Sequence, residues 1–177
     1  RMNRRRLSAE EIHDSVLVAA DLLDPKMYGP SYQDFVIVRP EHSPHYEYHL
    51  YDPYDPATHR RAVYRFIVRS QPQPFMDTLN CADPSSSVPK RSETLTALQA
   101  LGMLNNRFMV AMADRFAKRL EGESTDRQTQ IKTAFQLTAG RDPDNAEMEL
   151  LEGYYDRHGL KNTCRVLFNI NEFIFVD

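Results

Sequence analysis

The residues best suited to chemistry lie in one short stretch, His42-Ser-Pro-His45-Tyr-Glu-Tyr-His49, followed by Asp52, Asp55 and His59. Four of the six histidines fall here. Imidazoles and carboxylates are the common ligands of zinc and copper, so His42, His45, His49 and His59 are the candidate ligands of a divalent metal. The spacing His-x-x-His-x-x-x-His is not that of an established zinc site. In an extended chain His45 and His49 share a face while His42 points away. The competing reading is a polar, aromatic-rich surface loop around Tyr46 and Tyr48.

A second group could bind an anion or line a pocket. Arg60, Arg61 and Arg91 carry planar guanidinium forks suited to carboxylates, with Asp83, Glu93 and Asp114 as candidate internal partners. Asn169, Asn171 and Glu172 form a polar cluster among apolar neighbours. They either line a pocket or cap the last helix through side-chain-to-backbone bonds. No nucleophile elbow, phosphate-cradling loop or His-Glu-x-x-His helix occurs, so the sequence nominates no catalytic residue.

These residues need a frame, and the helical signals are strong. Ser8 with Glu11 forms a capping box, and Leu7 with Ile12 a hydrophobic staple. Ile12, Val16, Ala19 and Leu23 then recur at helical spacing, predicting a helix over 9–23 that stops before Pro25. From Thr94 onward helices are predicted near 95–105, 107–120, 127–139, 144–158 and 161–169. Leu95, Leu98, Leu101 and Leu104 make one apolar stripe; Phe108, Met112, Phe116 and Leu120 make the next. Asn105 and Asn106 mark the break between them. Thr125 with Gln128 caps the following helix and Gly140 ends it; Asp142-Pro143 starts another, which Gly159 ends. The expected core is Phe108, Met112, Phe116, Ile131, Phe135, Leu150, Leu167 and Phe168.

Between these parts the prolines at 25, 30, 40, 44, 53 and 56 forbid a persistent helix. Residues 35–38 and 46–50 are β-prone, 63–68 is β-prone with a helical alternative left open, and a small antiparallel sheet or irregular flap is expected. Residues 70–93 are rich in Pro, Ser and Asp and read as a strap over the helices. The fold class is therefore mainly α: a multi-helix bundle with a small irregular β or loop insertion near 32–69. One domain is divided into a leading helix at 1–24, a proline-rich segment at 25–93 and a helical core at 94–177.

Composition bounds the rest. With 177 residues the chain can bury a core without staples. The balance of 22 Lys+Arg against 25 Asp+Glu, net -3, does not favour nucleic acid as a partner. Arg1, Arg4, Arg5 and Arg6 read as a solvated lead-in to the first helix. No apolar run approaches the roughly 20 residues of a membrane span. Cys81 and Cys164 form no Cys-x-x-Cys or haem-attachment motif, and read as free thiols unless the fold brings them together.

Four blocks together resemble a known family. They are Arg5-Arg6-Leu7-Ser8-Ala9-Glu10-Glu11-Ile12 with Asp14; Arg60-Arg61 through Tyr64 to Arg69-Ser70; Arg91, Thr94 to Thr96, Leu98-Gln99-Ala100-Leu101 and Leu104-Asn105; and Gly140-Arg141-Asp142-Pro143 with Glu147, closing on residues 167–177. The order resembles the C-terminal part of a planctomycete domain of unknown function. That domain ends large proteins which also carry a planctomycete cytochrome c domain. The chain departs from it at Ala97, where a proline is expected, at Cys164, where an aromatic is expected, and in having no Trp. The resemblance implies a piece of a secreted or envelope-associated parent, with haem confined to other domains and no known reaction. The leading reading is a non-catalytic scaffolding or docking module whose partners are other domains of the parent. The alternatives are a metal-assisted hydrolase acting in polysaccharide breakdown, through the histidine segment, and an electron-transfer partner domain.

Overall fold

The computed structural model describes residues 5–38, 43–91 and 93–176. Arg5–Arg6 (β1) enters the leading helix Ala9–Ala19 (α1), whose start is the expected capping box of Ser8 and Glu11. Leu7 and Ile12 pack at this entry. The helix is shorter than its apolar pattern predicts, because the chain turns at Asp21, a non-glycine residue at φ 56. Leu22 and Leu23 still pack against the core from the turn beyond it.

Val36–Val38 (β2) pairs antiparallel with His45–Glu47 (β3), bringing Ile37 opposite Tyr46. Phe35 packs edge-on against Tyr46 and Tyr48, with centroids 5.1 and 5.5 Å away. With Val68 they make a small satellite core. The third β-prone run is not a strand. Ala62–Tyr64 forms a 3-10 turn, and Arg65 makes an isolated parallel bridge to Tyr32. Residue alternation there reports burial of Val68 and Ala62 rather than a ladder.

The strap contains a short helix, Pro74–Thr78 (α2), capped by Gln73. It buries Phe75, Met76 and Leu79 in the main core. The helical part follows as Ala97–Asn105 (α3), Arg107–Glu123 (α4), Arg127–Ala139 (α5), Asn145–Leu167 (α6) and Asn171–Ile174 (α7). Asn106 is the N-cap of α4, accepting from the Phe108 N–H at 2.8 Å. Two predicted caps move along the chain. Asp126, not Thr125, caps α5. Asp144 with Glu147, not Asp142, caps α6. In each case the residue nearer the first turn is the one whose carboxylate reaches the N3 amide.

α4 packs against α6, α5, α3 and α1, and so occupies the middle of the bundle. Phe108, Met112, Phe116 and Leu120 are buried, as expected. Phe116 stacks on Phe168 at 5.4 Å, and Phe168 meets Phe173 at 5.2 Å. Ile131, Phe135 and Leu167 are buried too. Leu150 is not: it is 74% exposed. The face of α6 that meets the core runs through Leu151 and Tyr155, one position round the helix. The leucine stripe of α3 is also turned outward. Leu95, Leu98 and Leu101 are 56%, 65% and 56% exposed, while Gln99 and Met103 face the interior.

The helix expected to end at Gly159 bends there and continues. Gly159 has φ 77 and ψ 166, a geometry open to glycine alone, so α6 is two helices joined at a kink. Phe175–Val176 (β4) then returns to pair antiparallel with β1. This closure buries Arg6, which the sequence placed in a solvated lead-in. No helix among the described residues is long and apolar enough to cross a membrane. Cys81 and Cys164 are free thiols, Cys164 fully buried.

Candidate functional site

An open cleft of about 860 Å³ lies between α1, the end of α5 and the closing α7–β4 segment. Glu11, Asp14, Ser15, Arg61, Asn171 and Glu172 supply its polar lining. Three of the six polar-site candidates, Arg61, Asn171 and Glu172, therefore meet in one place, although they stand far apart in sequence.

The charged groups of the cleft are already occupied. Arg5 grips Glu11 through both terminal guanidinium nitrogens at 2.8 and 3.0 Å, and the Ser8 N–H donates to it at 2.7 Å. The Arg5 bond is the main reason the Glu11 carboxyl is pulled down to about 2. Asp14 accepts the Ala62 N–H at 2.7 Å, and lies 3.3 Å from His13 Nδ1 and 3.6 Å from Arg61 Nε. Glu172 lies 3.5 Å from Arg141, whose main partner is Glu147 at 2.6 and 2.7 Å. A general acid or base works best with a pKa near the operating pH. Glu11 is far below that range, and Asp14 serves as an anchor for backbone.

The remaining candidates are dispersed. Arg60 is buried and donates to the carbonyls of Pro30 at 2.6 Å, Tyr28 at 2.7 Å and Lys26 at 3.2 Å, with its guanidinium 4.3 Å from the Tyr64 ring centre. It shapes the loop before β2. Arg91 pairs with Glu10 at 2.5 Å, and Arg61 with Asp14; Asp83, Glu93 and Asp114 are not their partners. Asp83 instead holds Ser85 and Ser86, and Asp114 holds Lys118 and Lys161. Asn169 donates to the Ala100 carbonyl at 3.2 Å, tying the end of α6 to α3.

Of the histidines, His42 lies outside the described residues. His45 is exposed on β3, and His49 sits in the following turn with Nδ1 3.2 Å from Glu47. His59 is buried, with Nε2 3.0 Å from the Pro53 carbonyl. Among the described residues no three His, Cys, Asp or Glu side chains gather closely enough to hold a metal.

Sequence reasoning missed a second polar feature. His13, Tyr32, Asp34, Tyr51 and Arg65 line a small chamber between α1, α2, α4 and the proline-rich segment. Burial pushes Asp34 up from the ordinary carboxylate range, against the pull of Arg65. Burial likewise raises the phenols of Tyr32 and Tyr51. The signals were present as interruptions: His13 inside the apolar face of α1, Asp34 beside Phe35, and Arg65 within a β-prone run.

Fold and site define a helical domain bound by an ordered strap, with a cleft whose charged groups serve the architecture. The model of the PSD1 family, described as a protein of unknown function (DUF1553), matches residues 1–155, and the chain belongs to that family. No curated protein and no solved structure matches it. The closing block at 167–177 lies beyond the matched segment.

Proposed function

We propose that this chain is a non-catalytic docking module within a larger extracytoplasmic, cytochrome-c-associated protein. The occupant of its docking face is an apolar helix presented by another domain of the same parent. The observation that carries this reading is the outer face of α3 together with Leu95 just before it. Leu95, Leu98 and Leu101 repeat at three-residue spacing and are each more than half exposed. No charged residue occurs anywhere from Thr94 to Asn106. An uncharged, leucine-rich helix face matches an apolar partner and offers nothing to an ionic one. The commitment of Glu11 and Asp14 to internal bonds supports a structural rather than a catalytic cleft. The hydrolase reading finds no comparable support, since His59 is engaged with a backbone carbonyl away from solvent.

Hydrogen exchange on the chain with and without the remainder of the parent polypeptide tests the proposal. Protection of the α3 amides on mixing supports it. Protection confined to other elements, or α3 protection that follows self-association of the chain alone, overturns it.

A further inference from the structure

The small chamber lined by Tyr32, Asp34 and Arg65 combines three features that point to a bound guest. The first is an accumulation of polar atoms without protein partners. Tyr32 Oη, Asp34 Oδ1 and Arg65 Nε are all buried and make no hydrogen bond among the described residues. All three residues line the same chamber. Tyr32 and Asp34 are 7% and 6% exposed, and the Arg65 side chain is 7% exposed. Leaving a buried donor or acceptor unmet costs about 1–3 kcal/mol each, so three together call for an explanation.

The second feature is size. The chamber measures about 10 Å³, close to the space that one water molecule needs. A phosphate, carboxylate or metabolite does not fit. The third is chemical complementarity. Arg65 Nε is a donor, an ionised Asp34 oxygen is an acceptor, and a tyrosine hydroxyl is both. Water presents two donors and two acceptor sites and so meets all three at once. Arg65 Nη1 and Asp34 Oδ2, the neighbouring atoms of the two side chains, stand 4.0 Å apart, too far for a direct hydrogen bond, so the pair does not close on itself.

We infer that the chamber is a binding site for a single sequestered water, which accepts from Arg65 Nε, donates to Asp34 Oδ1 and bonds the Tyr32 hydroxyl. The three ligands come from both edges of the isolated Tyr32–Arg65 bridge, where Tyr32 N donates to Tyr64 O at 3.1 Å and Phe66 N to Tyr32 O at 2.8 Å. The water thus extends that bridge inward, toward His13 of α1 and Met76 of α2. It fastens the proline-rich segment to the helical bundle at a point where the satellite core of Phe35, Tyr48 and Val68 does not reach.

A crystal structure that shows ordered waters is the direct test. The expected result is a fully occupied peak without anomalous signal, about 2.7–3.2 Å from Asp34 Oδ1 and Arg65 Nε. An empty chamber, side chains turned onto protein partners, or an ion in that place overturns the inference. Oxygen-17 relaxation of the intact chain gives a second readout that needs no crystal. The double variant Asp34→Leu with Arg65→Met should lose a long-lived water relative to wild type. Tyr32→Phe, which keeps two of the three ligands and most of the packing, should retain it with a shortened residence time. An unchanged count in the folded double variant contradicts the assignment.

Discussion

Asp14 Oδ1 receives the Ala62 N–H at 2.7 Å, across 48 residues of chain. A single carboxylate on α1 thereby holds the 3-10 turn Ala62–Tyr64 within the proline-rich segment, and the same residue forms part of the cleft wall. Removing it leaves a backbone donor unmet beside an unpaired Arg61. Asp14→Ala should cost about 1.5–3 kcal/mol, and Asp14→Asn, which keeps an acceptor, distinctly less. Urea unfolding of the three proteins measures both.

Phe116 and Leu150 make a matched pair of opposite prediction. Phe116 is 0% exposed and stacks on Phe168, so Phe116→Ala should cost about 3–5 kcal/mol. Leu150 is 74% exposed, and Leu150→Ala should stay within about 0.5 kcal/mol of wild type. Chemical denaturation that ranks them the other way would place α6 in the wrong rotation about its axis.

The helical half was legible because its signals are local. Caps at Ser8 and Asn106, the stripe from Phe108 to Leu120, and Gly140 at φ 73 each act within one or two turns. What failed depends on partners distant in sequence. Leucines at 95, 98 and 101 have helical spacing, but spacing cannot say whether a face meets the core or something outside the chain. The rotation of α6 is set by α4 and α5, and so Leu151 rather than Leu150 turns inward. Arg61, Asn171 and Glu172 were recognisable as polar candidates. Their meeting depends on β4 returning to β1, a pairing of two residues on each side that carries almost no sequence signal. The chamber was missed because His13, Tyr32 with Asp34, Tyr51 and Arg65 come from four separate stretches.

Gly159 tests the kink. Its φ of 77 and ψ of 166 lie where a side chain strains the backbone, yet no heavy atom lies within 4 Å of a Cβ built there. Gly159→Ala should therefore destabilise by about 1–3 kcal/mol through backbone strain alone. Circular dichroism and thermal unfolding should show a lower Tm with helix content preserved. A more stable variant would mean that α6 prefers to run straight.

Acid should weaken the fold through two exposed ion pairs. Glu11 and Glu147 are each drawn down to about 2, chiefly by hydrogen bonds from Arg5 and Arg141. Their folded values lie below the unfolded value of about 4.3, so the unfolded chain binds protons more tightly. Their stabilisation is complete above that unfolded value and is lost as pH falls toward about 2. Glu11→Gln with Glu147→Gln should flatten the fall in Tm over this window and leave the slope near pH 7 unchanged, and the advantage of wild type over the variant should shrink in high salt. A double variant with the wild-type acid profile would remove these pairs from the account.

The docking claim meets its most direct test in titration calorimetry of the chain against the remainder of its parent polypeptide. Leu98→Glu with Leu101→Glu places charge on two exposed positions, so Tm should stay near that of wild type. Affinity should fall by about tenfold or more, because buried leucine contacts would be replaced by desolvated carboxylates. Wild-type binding that survives the double substitution undiminished, or no binding by the wild-type chain, would contradict docking through α3.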